Sequence, residues 1–136
     1  MVVFRETVAW HEAGHAVIAA VLGSEIKTVS LNDAIVLERH RHVTVDDGLN
    51  GAIIALAGPI TEMRRFNYKE LERCWASGWS GDLANARQRY AGNLGEAFRR
   101  ADHLLRRHWR AVERVADALL ARGELSGAEV RRLAAV

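Results

Sequence analysis

The stretch ETVAWHEAGHAVIAAVL, residues 6–22, decides how this chain folds. Val8, His11, His15, Ile18 and Leu22 recur at steps of three and four residues, the spacing of one helix face. Small residues fill most of the other positions, no proline interrupts, and Gly23-Ser24 supplies a stop. A helix turns about 100° per residue, so positions i and i+4 stack on one side. His11 and His15 can therefore aim both imidazoles at one ion, with Glu12 beside them. Gly14 stands out, because a glycine inside a helix costs about 1 kcal/mol relative to alanine. Two readings account for it: tight packing against a neighbouring helix, or another element passing close beneath an ion.

The pentad His11-Glu-Ala-Gly-His15 has the H-E-x-x-H form of zinc proteases, in which two histidines hold the metal and the glutamate is the base. Zinc takes nitrogen, sulfur and carboxylate ligands in a tetrahedron, and catalytic sites leave one position open. A third protein ligand must therefore come from elsewhere in the chain.

Composition sets the frame. The 136 residues, 49% of them hydrophobic, suggest one domain spanning 1–136 with a real core. The longest apolar runs, Ala16–Leu22 and Ala52–Ala57, are far too short to span a bilayer. No basic region precedes the first helix, so no signal peptide is expected. The single Cys74 argues against a disulfide framework and suits a reducing cytoplasm. The net charge is only +2, yet from Ala86 onwards eleven arginines face six acids. Such a surface can bind an acidic partner or nucleic acid. A solvated face is the commoner meaning, and nucleic-acid binding is not expected.

Along the chain, Glu25–Leu31 alternates and is rich in β-branched residues, Asn32-Asp33 marks a turn, and Ile35–Val45 again reads as extended. A hairpin closed by Asp46-Asp47-Gly48 is expected. A second helix runs from Leu49 to about Phe66, with Pro59 either kinking it or opening a new turn and Gly58 easing the strain. Asn67–Trp79 reads as irregular or short helix. Asp82 opens a third helix, and Asn93 with Glu96 forms a capping box for one long helix reaching Arg122. Gly123 stops that helix, and Ser126 with Glu129 caps a final short one. The fold class is mainly α with a small β-hairpin or sheet (α+β).

Candidates for the third ligand are Glu62, His40, His42, Asp46, Asp47, Cys74 and Asp82. His103 and His108 are five residues apart on a helix, about 140° around it, and read as packing or surface histidines. A carboxylate at a helix start is favoured by the amides there, which suits Asp82. Glu62 carries charge beside an apolar run and needs a partner; it can be a ligand, or can orient a ligating histidine.

HEAGHA, then a strand, then LAGPITEMRRF, then SGWSGDLANARQ resembles the peptidase domain of the FtsH family of ATP-dependent zinc metalloproteases. Residues 77–83, SGWSGDL, match that family's Thr-Gly-Ala-x-x-Asp-Leu segment in spacing, glycine and Asp-Leu pair. The tail VERVADALLARGELSGAEVRRL is similar to the family's closing helices. The resemblance spans nearly the whole chain; its zinc segments are specific and the remainder is loose. It implies that His11, His15 and Asp82 bind Zn2+, that Glu12 is the base, and that Glu62 stands behind the ligands. The family's Gly-Lys-Ser/Thr phosphate loop and its membrane anchor do not occur in the sequence, so no ATPase motor is implied within it.

The expected activity is hydrolysis of peptide bonds in unfolded or extended polypeptides, with substrate added as a strand along Ile35–Val45. A separate ATPase partner is compatible with this, and the Ala- and Arg-rich helices and exposed tryptophans leave room for self-association. The alternatives are a non-catalytic zinc- or peptide-binding module with the same fold, a different zinc hydrolase using Glu62 or a histidine, and a helical protein in which the pentad is coincidence.

Overall fold

Every residue from Ala9 to Ala20 is buried, so the first helix is central to the protein and not a surface helix with one apolar face. The computed structural model describes residues 2–31, 34–37, 45–67 and 79–136. In chain order these form α1 (Val2–Val21), β1 (Ile26–Ser30), β2 (Ala34–Leu37), α2 (Val45–Phe66), α3 (Trp79–Arg89), α4 (Leu94–Arg107), α5 (Trp109–Arg122), β3 (Glu124–Ser126) and α6 (Gly127–Ala134). The protein is thus mainly helical with a small β component.

Helix α1 is sandwiched between α2 and α5, with α6 and the sheet near its end. Helix α2 in turn carries α3 and α4 on its other sides. A helix surrounded in this way must be made of small and apolar side chains, which explains the alanine content of α1. Its polar members, Thr7, His11, Glu12 and His15, are all buried with it.

The sheet has three antiparallel strands in the order β2-β1-β3. Strand β3 is not foreseen in the sequence, being three residues lodged between the left-handed Gly123 that ends α5 and the Ser126 cap of α6. Its register pairs Val29 with Leu125, which places two fully apolar side chains in the core. The Ser126–Glu129 capping box forms as expected, with both reciprocal hydrogen bonds at 3.1 Å.

Several expectations are corrected. Of the second extended run, Ala34–Leu37 is strand and Val45 already opens α2, while residues 38–44, with His40 and His42, lie outside the described residues. Asp46, Asp47 and Gly48 are therefore helical and do not close a hairpin. Residues 68–78, with Cys74 and Trp75, are likewise outside the described residues. Helix α3 begins at Trp79, so Asp82 lies within its first turn. The long helix ending at Arg122 is two helices, broken at His108 (φ −112°, ψ 21°). Hydrogen bonds continue through the break, from His108 N–H to Leu104 O and from Val112 N–H to His108 O. On either side of the break, α4 packs mainly on α2 and α5 mainly on α1. At Asn93 the side chain accepts from Gly95 N–H, without the reciprocal Glu96 bond of a capping box. Nor is every tryptophan exposed: Trp10 is buried and stacks on the half-buried Trp109 at 5.4 Å. No described helix is long and apolar enough to cross a membrane.

The first reading of Gly14 holds. A Cβ there would sit 2.1 Å from Thr61 Oγ1 and 2.8 Å from Ala57 O on α2. Helices α1 and α2 can approach this closely only over a missing side chain. Gly14→Ala is expected to destabilise the protein by about 1–3 kcal/mol, the usual cost of overpacking. Chemical denaturation checks this, and an unchanged midpoint would contradict the contact.

Candidate metal centre

One turn apart on α1, His11 and His15 bring their Nε2 atoms to 3.1 Å from each other. Asp82 reaches across from the first turn of α3, placing Oδ2 2.8 Å from His11 Nε2 and 3.2 Å from His15 Nε2. These three ligand atoms form the group of metal-binding type found among the described residues. The opposite ring nitrogens are both engaged. His11 Nδ1 lies 2.6 Å from Glu62 Oε2, and His15 Nδ1 lies 2.7 Å from Ile54 O. Both partners come from α2.

The donor chemistry tests whether the site fits a cation. A backbone carbonyl only accepts, so His15 Nδ1 carries the hydrogen and donates it to Ile54 O. In the neutral ring its Nε2 is then a lone pair. That lone pair faces a carboxylate oxygen and the Nε2 of a second ring. A proton on His11 Nε2 can serve the contact to Asp82, yet the His15–Asp82 contact still pairs two acceptors. A divalent cation between all three atoms satisfies them together. Tetrahedral zinc with ligands at about 2.0–2.1 Å sets its donors about 3.3–3.4 Å apart. The three atoms need part by only a few tenths of an ångström to match.

Gly58 gives an independent sign of fit. A Cβ at this position would lie 2.3 Å from His15 Nε2 and 2.7 Å from His11 Nε2. Any side chain there would intrude on the space toward which the histidines converge. In the sequence Gly58 reads as strain relief for Pro59; in the structure it keeps α2 clear of the two Nε2 atoms. Ile54, Gly58 and Glu62 follow at steps of four, so one stripe of α2 supplies a carbonyl, an empty floor and a carboxylate. That spacing was available in the sequence. Gly58 and the Ile54 carbonyl were not among the residues expected at the site.

Electrostatics agree with the geometry. Burial, the strongest influence on His11, would by itself lower its pKa. Hydrogen bonds to Asp82 and Glu62 and the charges of Glu12 and Asp82 outweigh it and raise the value from 6.5 to about 9. Burial pushes the Asp82 carboxyl up, but the hydrogen bonds and charges of His11 and His15 hold it down, at about 2 against the usual 3.8. Glu12 is 6% exposed and close enough to His11 to favour its charged form. Glu62 is completely buried.

The structure therefore brings Glu12, His11, His15, Asp82 and Glu62 to one place. Of the other ligand candidates, His40, His42 and Cys74 lie outside the described residues. Asp46 and Asp47 begin α2, and His103 is exposed on α4. No family model matches the chain, and no curated protein matches it. What the site can do is read from its own chemistry.

Two outcomes follow. Gly58→Ala should abolish stoichiometric zinc binding while far-UV circular dichroism stays helical; elemental analysis showing one zinc per chain in that variant would contradict the cradle. In the metal-free protein the raised pKa keeps a proton on His11 up to about pH 9, and a metal must displace it. Zinc affinity should therefore rise with pH, about tenfold per unit, and level off near pH 9. Competition titrations with buffered zinc between pH 7 and 10 measure the slope, and a flat profile would remove His11 from the ligand set.

Proposed function

We propose that the chain is a zinc-dependent metallopeptidase acting on peptide bonds in unfolded or extended polypeptides, with a domain of the FtsH-peptidase kind. The observation that carries this reading is the convergence of His11 Nε2, His15 Nε2 and Asp82 Oδ2 within 3.2 Å of one another. The buried Glu12 next in sequence to the first histidine turns a metal site into a hydrolytic one. A binding module has no need of a carboxylate buried there, where its desolvation is costly.

His11, His15 and Asp82 would hold the ion. When bound, zinc supplies Lewis acidity, which makes water acidic near neutral pH and polarises a carbonyl oxygen. The protein's own residues do the rest. Glu62 accepts the Nδ1 hydrogen of His11, and Ile54 O accepts that of His15. Each ring is thereby fixed in the tautomer whose Nε2 is free to ligate. Glu12 takes the proton of the attacking water as the new carbon–oxygen bond forms. It then passes that proton to the departing amine nitrogen as the carbon–nitrogen bond breaks.

The test is Glu12→Gln, assayed on a fluorogenic peptide library with and without chelator. The expected result is loss of activity by about a hundredfold or more, the scale of general acid–base catalysis, with one zinc per chain retained. Full, chelator-sensitive activity in the glutamine variant would rule the mechanism out.

A further inference from the structure

Away from the metal centre, the outer face of α4 and the first turn of α5 form a basic ridge. Ala97, Ala101 and Leu105 turn α4 inward. Arg99, Arg100, His103, Arg106 and Arg107 occupy the opposite face, all exposed, and exposed Arg110 follows just past the break. The carboxylates on this ridge are already engaged. Glu96 pairs with Arg100 at 3.1 Å, while Asp102 is shared between Arg106 at 3.0 Å and Arg64 of α2 at 2.8 Å. The side chains of Arg99, Arg107 and Arg110 make no ion pair or hydrogen bond among the described residues. Five arginines against two acids leave the ridge at about +3, on a protein whose net charge is only +2.

We propose that this ridge docks an acidic, extended segment of polypeptide, a surface distinct from the metal site and independent of its chemistry. Charge complementarity selects an anion, and the surroundings select its class. Binding single-stranded nucleic acid calls for exposed aromatic platforms, and entering a bilayer interface calls for an exposed apolar face. On α4 and the first turn of α5, Phe98 and Leu104 are packed against the core, and Trp109 is occupied by its stack on Trp10. A row of exposed guanidinium groups suits carboxylates, which each can grip with two hydrogen bonds. Residues 99 to 110 span about 17 Å at 1.5 Å per residue. That is the length of about five residues of extended chain, so a short acidic run can engage Arg99, Arg107 and Arg110 together.

The probe is fluorescein-labelled octaglutamate, titrated into the full chain at low and at moderate salt and followed by anisotropy. Saturable one-to-one binding is expected, weakening at least tenfold between 50 and about 200 mM salt as the charges are screened. The triple variant Arg99→Gln, Arg107→Gln, Arg110→Gln should lose tenfold or more in affinity while circular dichroism and zinc content stay unchanged. The control Arg131→Gln, Arg132→Gln on α6 should bind like the parent. Absence of saturable binding, or equal binding by the triple variant, would overturn the proposal. So would tighter binding of a single-stranded RNA octamer or of phosphatidylserine vesicles through the same arginines.

Discussion

The imidazole of His11 is held from both sides, and the arrangement of the helices follows from that constraint. The ring is 1% exposed, with Glu62 at 2.6 Å on one nitrogen and Asp82 at 2.8 Å on the other. Buried polar atoms need partners, and a buried charge without one costs several kcal/mol. Here the ring comes from α1 and its partners from α2 and α3. None of the three elements can shift by an ångström without leaving a buried carboxylate or imidazole exposed to that cost. The cluster is thus a structural tie, and a cation held there would tighten it further.

Helix α2 is the template that makes the tie possible. Its face toward α1 offers no bulk at Gly58 and meets the missing side chain of Gly14 beside Ala57 and Thr61. Two helix-interior glycines cost about 1 kcal/mol each in propensity, which the close approach of two apolar helices offsets. Pro59 withholds the N–H that Ala55 O would otherwise receive. In the same turn Ile54 O accepts the hydrogen of His15. The helix nonetheless runs on to Phe66. Pro59 therefore perturbs the hydrogen bonding of one turn where the histidine docks, and does not end the element.

The C-terminal end of α2 then fastens α1, α4 and the start of α5. Arg65 pairs with Glu6 at 2.9 Å and lies over the Trp10 ring, while Arg64 pairs with Asp102 and lies over Trp109. Each exposed pair contributes at most about 1 kcal/mol, but together they bracket the Trp10–Trp109 stack, where α1 meets the start of α5. Trp10 directly precedes His11, so the same helix turn that carries the first histidine is braced by aromatic packing on its other side. The break at His108 lies directly beside this bracket. Helix α4 follows α2, α5 follows α1, and the junction falls where Trp109 reaches Trp10.

Much of this was legible from the residues alone. The His11–His15 spacing places two imidazoles on one helix face whatever surrounds it, because i and i+4 positions are neighbours in any α-helix. The caps at Gly123 and Ser126 are equally local, since they depend on a left-handed glycine and on hydrogen bonds within a few residues. The break at His108 was not legible, because Leu105 to Val112 is a seven-residue step that keeps helical phase straight through it. Strand β3 was not legible either, being three residues whose pairing with β1 exists only once α5 and α6 have brought it there. The meeting of Asp82 with His11 lies seventy-one residues apart in the chain, and no periodicity reaches that far. Local geometry follows from the sequence because its hydrogen bonds and spacings are short-range. Which carboxylate faces which imidazole, and which glycine lies beneath them, is decided only when burial forces distant helices into one contact.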